Sequence, residues 1–268
     1  MAATDGLLCN LSALYRLRRS KAEDAQEQST TDIWRCICSS IRRVMTEHNI
    51  DGSTVKGIGF DATCSLAVFS HDTDEPIAVT GPNFDNKDGN DRNVILWLDH
   101  RPVEETIKIN ATKHNLLRYV GGTMSIEMEI PKVLWLKNNM PKEVFDRCKF
   151  YDLADALTHI ATGSNTRSLC SAVCKQGYVP VGVDGSVKGW QEDFLQAIGL
   201  SDLCEDNFKR LGGVNGVVML PFYNLNRIVA DMSFRVAIFL PLGSLLARSV
   251  RKPRRIWVYH QVLPWALE

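Results

Sequence analysis

The chain has 268 residues, of which 45% are hydrophobic and 23% are charged, as in an ordinary globular protein of one large domain or two small ones. Its 31 basic and 31 acidic residues cancel, so the sequence creates no overall field that would attract nucleic acid or an anionic membrane. We therefore expect neither nucleic-acid binding nor membrane association.

The first 28 residues carry a basic, leucine-bearing patch at 14–21. A mitochondrial transit peptide and a solvated terminus both fit this patch, and the second interpretation is favoured. Residues 1–28 are treated as a divergent N-terminal segment.

A regular pattern begins at residue 29. Ser29 and the two threonines that follow offer N-caps, and Ile33, Ile37 and Val44 recur at helical spacing. This pattern predicts an amphipathic helix that packs on a sheet. Strands rich in apolar and β-branched residues are predicted at residues 55–60, 66–79 and 93–98, with a turn at 61–65 and a loop at 81–92.

Three more helices are predicted after the third strand. Pro102 is placed to begin one over residues 103–120, which Gly121 and Gly122 end. The others are predicted over residues 126–139 and 153–162, and Gly163 ends the last.

The character of the sequence changes after residue 213. The apolar run at 236–247 is too short to span a bilayer and contains Pro241. The basic run at 248–255 could bind RNA or acidic lipid, but such runs are more typical of a solvated surface. Residues 213–268 are treated as a divergent tail.

The eight cysteines lie in apolar or helical patterns, and no secretory signal is visible, so we expect reduced thiols in the cytoplasm. The pairs Cys36 with Cys38 and Cys170 with Cys174 are candidate metal half-sites. Because no Cys-x-x-Cys pair or Cys/His cluster completes four ligands, the sequence favours buried free thiols over zinc. No metal site is predicted.

Two polar motifs follow apolar, strand-like runs. Gly-Ile-Gly-Phe-Asp-Ala-Thr-Cys-Ser occupies residues 57–65, and Trp-Leu-Asp-His-Arg occupies residues 97–101. Polar side chains at strand ends are how an α/β protein forms a pocket for a small polar ligand. Asp61 and Asp99 could accept hydrogen bonds from hydroxyl groups, whereas Arg101 and Lys132 could donate them.

These motifs resemble the sugar-binding half of the FGGY carbohydrate kinases, in their ribulokinase-like branch. The resemblance covers about residues 26–212, and further blocks that match the family in order are residues 121–137, 151–157, 162–163 and 168–175. It implies an α/β fold of the RNase H-like, actin-like ATPase superfamily. It also implies that residues 29–212 form the N-terminal, sugar-binding domain.

The resemblance implies transfer of the γ-phosphoryl group of ATP, with Mg²⁺, to a hydroxyl of a pentulose-type sugar. Such transfer depends on positioning and electrostatics. The implied partner is a small sugar or polyol, whose identity no motif fixes. By resemblance the sugar site is lined by nine residues: Asp61, Thr63, Cys64, Trp97, Asp99, His100, Arg101, Glu127 and Lys132.

Other interpretations of these residues stay open. Asp61 could be only a turn residue, Asp99 and Arg101 an ion pair, and Trp97 a core aromatic. A thiol hydrolase built on Cys64 is disfavoured because no nucleophile elbow accompanies it. If the sugar-site interpretation holds, replacing Asp99 or Arg101 with alanine should weaken sugar binding without unfolding the chain.

Several family features are not matched. The Asp-x-Gly-Thr turn that handles phosphate and metal does not occur before Gly57, and Asp231 does not match the general-base motif. We therefore expect a kinase domain incomplete at its first strands, without the C-terminal domain that covers ATP. The alternative function is a non-catalytic, shortened product that binds sugar, associates with itself or pairs with a full-length kinase through an exposed sheet edge.

Overall fold

The computed structural model describes residues 8–10, 18–19, 25–55, 57–85, 91–218, 234–239 and 256–260. Contacts divide the chain into two units. The first comprises Met1–Arg16, Thr31–Thr63 and Arg227–Glu268, and the second comprises Leu17–Thr30 and Cys64–Asn226. The domain boundaries predicted at residues 28 and 212 rest on the resemblance and stay predictions.

Eleven strands and eight α-helices lie in these described ranges. The strands are β1 (Leu8–Asn10), β2 (Arg18–Arg19), β3 (Gln26–Gln28), β4 (Gly57–Asp61), β5 (Ser65–Ser70), β6 (Val94–Leu96), β7 (Cys148–Asp152), β8 (Arg167–Ser168), β9 (Val217–Val218), β10 (Phe234–Phe239) and β11 (Ile256–His260). The helices are α1 (Thr30–Glu47), α2 (Val103–Ala111), α3 (Glu129–Asn139), α4 (Lys142–Phe145), α5 (Leu153–Thr162), α6 (Leu169–Gln176), α7 (Glu192–Ile198) and α8 (Glu205–Phe208).

The first unit contains a four-stranded sheet in the order β1, β11, β10, β4. β1 runs parallel to β11, and β10 is antiparallel to both β11 and β4. β4 is the strand predicted at residues 55–60. It pairs with β10 on one side and is an end strand of this sheet as described. β10 and β11 lie in the tail at residues 213–268, where no strand was predicted.

Helix α1 confirms the amphipathic pattern. Ile33, Ile37 and Val44 are buried, and the ring centroid of Trp34 lies 5.9 Å from that of Phe60. Apolar residues at this spacing form one stripe on a helix, so their burial stabilises α1 against its own unit.

The second unit contains an antiparallel sheet in the order β2, β3, β6, β5, β7. Every residue of β5 is buried. In the β5–β7 pair, Leu66 lies opposite Asp152 and Ser70 lies opposite Cys148. Asp152 and Ser70 are therefore at opposite ends of the pair.

The prediction of one strand over residues 66–79 is wrong. The strand ends at Ser70, a turn follows, and Asp74 adopts a left-handed φ of 61°. The chain then returns beside β5, with a bridge between Phe69 and Pro76 and a hydrogen bond from Ile77 N to Val68 O. Short turn residues such as aspartate tolerate this conformation, which the apolar pattern alone did not indicate.

The helix predicted over residues 103–120 is also interrupted. α2 ends at Ala111, and a separate 3₁₀ turn runs over Asn115–Val120. Lys113 adopts a φ of 50°, and His114 Nδ1 accepts a hydrogen bond from Leu116 N, so His114 caps the second segment. The predicted ending is confirmed, because Gly121 is left-handed at its C-cap.

The helix predicted at 153–162 is confirmed as α5. Asp152 Oδ1 accepts a hydrogen bond from Ala154 N at its start, and Gly163 is left-handed at its end. The helix predicted over residues 126–139 begins three residues later, at Glu129, as α3.

A hydrophobic core in the second unit joins β5, β6 and β7 to α2, α3, α6 and α7, and its buried residues include Leu66, Ile95, Leu134, Phe150 and Phe194. In the described part of the chain, no helix has the length and apolar character needed to cross a membrane. Residues 240–247, Asp231 and the basic run at 248–255 lie outside the described residues.

The loop before α7 requires a glycine at position 189. Gly189 has a φ of 81°, and a Cβ atom there would lie 2.1 Å from the ring of Tyr178, which itself packs edge-on against Trp190. Gly185 has the same φ, but nothing lies within 4 Å of its Cβ position. The two glycines share a backbone conformation and differ in their surroundings.

We expect Gly189→Ala to destabilise the second unit more than Gly185→Ala. The left-handed conformation costs each variant about 1–2 kcal/mol, and overpacking against Tyr178 adds about 1–3 kcal/mol only at position 189. Urea denaturation of both variants measures the difference. Equal losses would show that the Tyr178 ring does not constrain this loop.

Candidate functional site

The nine predicted sugar-site residues are divided between the two units. Asp61, at the end of β4, and Thr63 belong to the first unit, and the other seven belong to the second. The geometry of the site is therefore described within the second unit.

Lys132 organises two loops through backbone carbonyl groups. It lies in the first turn of α3 with 0% of its surface exposed, and its Nζ donates to Glu127 O at 2.8 Å. Further carbonyl oxygens of Ile126, Trp97 and Met128 lie 3.2, 3.3 and 3.4 Å from the same atom. Burial lowers the pKa of Lys132, and nearby acidic groups oppose that shift. The ammonium group thus holds the segment after β6 against the turn that precedes α3.

Cys64 joins the same turn. Its Sγ lies 3.7 Å from Glu127 O, as a donor to that carbonyl group. Burial raises the pKa of Cys64 far above its ordinary value, and the charge of Glu129 raises it further. Because only a thiolate is a good nucleophile, this environment also argues against a thiol hydrolase. Through Glu127 and Lys132, the structure therefore brings Cys64 and Trp97 into one network.

Asp99 and Arg101 form a buried ion pair, which was one of the alternative interpretations. Arg101 donates through Nε to Asp99 Oδ1 at 2.9 Å and through its terminal nitrogen to Asp99 Oδ2 at 2.7 Å. Asp99 Oδ2 also accepts a hydrogen bond from Gln26 N at 2.6 Å. All these bonds are made within the chain.

Arg101 has further partners. The same terminal nitrogen donates to Glu27 Oε1 at 2.7 Å, its other one donates to Val79 O at 3.1 Å, and its guanidinium group lies 4.9 Å from the centre of the Trp135 ring. Burial acts to lower the pKa of Arg101, but its hydrogen bonds and charge attraction to Asp99 and Glu27 raise it overall. The guanidinium therefore stays charged and ties β3 to the segment that follows β6.

Two predicted residues of the second unit are exposed, and Cys64, Trp97 and Arg101 are partly buried. His100 and Glu127 are exposed, and Trp97 is half-buried. They flank the segments that Lys132 holds in place. The side chains of His100, Glu127 and Trp97 could contact a soluble ligand without first breaking an internal ion pair.

Three buried polar residues and the partly buried Lys175 lie close to Cys64 and were not predicted as site residues. Glu129 Oε2 accepts from Gln176 Nε2 at 2.6 Å, and Asp152 Oδ2 accepts from Lys175 Nζ at 2.7 Å. Three of the four lie inside segments that carry the resemblance, namely Glu129, Asp152 and Lys175. In the sequence, Glu129 and Asp152 precede or begin helical patterns, which is typical of acidic residues at helix starts. The sequence therefore carried no signal for a role at the site.

Glu129 is completely buried beside Asp152. Burial raises its pKa well above the ordinary value, and the charge of Asp152 and a hydrogen bond with it raise it further. Its Oε1 has no hydrogen-bond donor among the residues that the structure describes. Burial thus favours the protonated form of Glu129, and that form would need no donor at this atom.

The ligand atoms of Cys64, Glu129 and Asp152 lie within 4.8 Å of one another. Mg²⁺ prefers an octahedral set of oxygen ligands, and one of these three ligand atoms is the sulfur of Cys64. The ammonium of Lys175 also already neutralises Asp152. In the described part of the chain, this cluster does not fit the Mg²⁺ that the resemblance implies.

A cavity of about 560 Å³ lies elsewhere in the second unit. It is lined by residues that include His71, Lys149 and the loop at 212–216, and none of the nine predicted residues contributes to it. His71 follows β5 and Lys149 lies at the start of β7, at the opposite end of the strand pair from Asp152. This cavity and the predicted sugar-site residues therefore lie in different places. The function proposed below rests on the predicted residues and not on the cavity.

We expect Arg101→Met to destabilise the chain by about 3–5 kcal/mol, because Asp99 and Glu27 would be left buried without their cation. This expectation differs from that of the sequence, which predicted a binding defect without unfolding. The control is Arg118→Met, which removes an exposed ion pair with Asp184 and should change little. Chemical denaturation measures both variants, and equal stability would contradict a structural role for the pair.

A second expectation concerns Asp155 in α5, whose Oδ1 accepts a hydrogen bond from Ser168 N. Burial and the nearby charge of Asp152 raise its pKa to about 7. The folded chain then binds a proton that the unfolded chain releases at lower pH. Stability contributed by this proton is present below the unfolded pKa and is lost as the pH rises to about 7.

We therefore expect Asp155→Asn to flatten the pH dependence of stability between pH values of about 4 and 7, by up to about 1.4 kcal/mol per pH unit. The asparagine retains the acceptor for Ser168. Urea midpoints at a series of pH values, compared with the exposed control Asp193→Asn, measure the effect. An unchanged slope in Asp155→Asn would contradict the assignment.

Comparison with known proteins adds independent observations. The family model of the N-terminal domain of FGGY carbohydrate kinases matches residues 12–202, a range that contains all nine predicted residues. The chain is 55% identical over 186 residues to a D-ribulokinase of Saccharomyces cerevisiae, covering 69% of this chain and 26% of that protein. It is 45% identical over 188 residues to a human FGGY carbohydrate kinase domain-containing protein, covering 69% and 31%.

A solved structure, a xyloylose kinase from Brucella ovis, is similar with a TM-score of 0.55 at 18% identity, and the match covers 69% of this chain and 35% of that one. At this identity the likeness shows the fold, and it confirms the predicted α/β carbohydrate-kinase fold. The chain spans between a quarter and a third of the two sequence relatives' own length. The chain belongs to the FGGY family of carbohydrate kinases, in its ribulokinase-like branch, and the matching part is the N-terminal domain.

Proposed function

We propose that this chain supplies the sugar-binding part of an ATP-dependent pentulose kinase of the D-ribulokinase type. The observation that carries the proposal is the 55% identity to a yeast D-ribulokinase over 186 residues. In the proposed reaction, the γ-phosphoryl group of ATP is transferred to a sugar hydroxyl in the cytoplasm. The FGGY family generally uses ATP and a divalent metal.

The geometry supports two roles among the predicted residues, namely fixing the backbone segments and contacting the sugar. Lys132 and the Asp99–Arg101 pair fix the two segments that carry the exposed side chains of His100 and Glu127. Trp97 supplies a half-buried aromatic surface suited to the apolar face of a sugar. In this proposal Glu127 accepts hydrogen bonds from hydroxyl groups, and Asp61 and Thr63 contribute from the first unit by resemblance.

A rigid backbone at the sugar site favours catalysis, because the rate of phosphoryl transfer depends on how precisely the reacting groups are positioned. A hydroxyl held in line with the phosphate reacts far faster than one that rotates freely. The buried ammonium and ion pair provide such rigidity without contacting the sugar themselves. Activation of the hydroxyl and binding of phosphate are not assigned to any residue described.

A second candidate is a sugar-binding chain that acts by association with itself or with a complete kinase. The supporting observation is that β4 is an end strand of the four-stranded sheet as described. An unpaired strand edge offers backbone donors and acceptors to another chain. This candidate keeps the sugar site and needs no turnover by the chain alone.

The test is an ADP-release assay of the purified chain with MgATP and D-ribulose, L-ribulose, D-xylulose, ribitol or glycerol, with thermal shifts read on the same samples. Turnover with a pentulose supports the first candidate. A sugar-specific shift without turnover supports the second. No shift and no turnover with any sugar would contradict both.

The variant that tests the site is Glu127→Ala, with the exposed Glu143→Ala on α4 as its control. Loss of charged hydrogen bonds worth about 1.5–3 kcal/mol should weaken pentulose binding by about 10-fold or more at position 127 only. Glu127 holds Cys64 and Lys132 through its backbone carbonyl, which alanine retains, so the fold should be unaffected. Equal sugar affinity in both variants would remove Glu127 from the site.

A further inference from the structure

Helix α6 carries two exposed cysteines one helical turn apart. Cys170 and Cys174 are both exposed, and partial desolvation and the proximity of Cys174 raise the pKa of Cys170. No residue assignment made above uses either thiol. The free thiols also include those of Cys36, Cys38, Cys64, Cys148 and Cys204.

The spacing determines what this pair can hold. Residues four apart on a helix have Cβ atoms about 5–6 Å apart, whereas a disulfide needs Cβ atoms about 3.5–4.5 Å apart. A direct sulfur–sulfur bond would therefore distort α6. An atom bonded to both sulfurs bridges the additional distance and leaves the helix intact.

The number of available ligands limits which element could bridge the two thiol groups. Zinc requires four protein ligands in a structural site. Asp152, whose charge acts on Cys170, is already paired with Lys175 at 2.7 Å. A monosubstituted trivalent arsenic centre needs only two thiols, because its third substituent is an organic group. Soft centres of this kind prefer sulfur ligands.

We propose that Cys170 and Cys174 form a dithiol site on α6 that binds trivalent organoarsenicals. With phenylarsine oxide, two S–H bonds and the arsenic–oxygen bond break, and two As–S bonds form. The oxygen leaves as water with both thiol protons, and the arsenic stays trivalent, so no oxidant or reductant is needed. The proposal does not rest on the proposed sugar-kinase function.

The chain offers a matched control pair. Cys36 and Cys38 on α1 are two residues apart, and side chains at that spacing do not face each other on a helix. They should not bridge one arsenic atom. Cys64 serves as a second control, because it is buried close to Lys175 and would compete if the site lay deeper in the second unit.

The experiment treats the reduced, purified chain with one equivalent of phenylarsine oxide and measures intact mass. We expect one phenylarsenic group per chain, retained in excess monothiol and removed by 2,3-dimercaptopropanol. Cys170→Ser and Cys174→Ser should each abolish the monothiol-resistant adduct. Cys36→Ser/Cys38→Ser and Cys64→Ser should retain it, and the circular dichroism of the wild type should not change on binding.

Both cysteines are exposed, so serine at either position should leave the fold intact, and thermal melts verify this. A monothiol-resistant adduct that survives in the Cys170→Ser/Cys174→Ser variant would overturn the assignment. Absence of the adduct from the wild type would overturn it as well, as would its loss in Cys64→Ser. Peptide mapping that finds the arsenic on both α6 cysteines would support it.

Discussion

The buried contact between Arg101 and the two carboxylates of Asp99 and Glu27 is the constraint around which the second unit is arranged. Charges removed from water are tolerated only when opposite charges and hydrogen bonds replace the lost solvation. Here Arg101 uses all its nitrogens, and one partner, Glu27, lies 74 residues away in the sequence. The pair therefore holds β3 and the segment after β6 together, and the exposed residues of the candidate site depend on that segment.

Lys132 applies the same principle to backbone groups. Its ammonium group lies among four carbonyl oxygens, and these hydrogen bonds offset the cost of burying the charge. They also provide donors to carbonyl groups in two loops. A lysine so enclosed cannot reach a ligand without giving up these bonds. In the proposed function, Lys132 therefore fixes the site, and the neighbouring exposed side chains would contact the sugar.

The cluster of Glu129, Asp152, Lys175 and Gln176 shows how acidic groups are accommodated inside the second unit. Asp152 pairs with the ammonium of Lys175, which balances its charge. Burial raises the pKa of Glu129 and so favours its neutral form. This balance explains why three potential metal ligands lie close together in a region where the surrounding charges do not favour a cation.

The sequence by itself determined the elements whose signals are local. Asp152 and Gly163 define α5 because capping and left-handed glycine are properties of single positions, and the blocks shared with carbohydrate kinases identified the family. The break in α2 at Lys113 and the turn after Ser70 were not predicted, since the same apolar spacing fits a continuous element. The sequence identified Asp99, Arg101 and Lys132 as candidate site residues, but it did not indicate which partners they bind. Only the tertiary structure decided that their bonds are made inside the chain, because Glu27, Gln26 and the carbonyls around Lys132 become neighbours through folding, and burial then makes pairing obligatory.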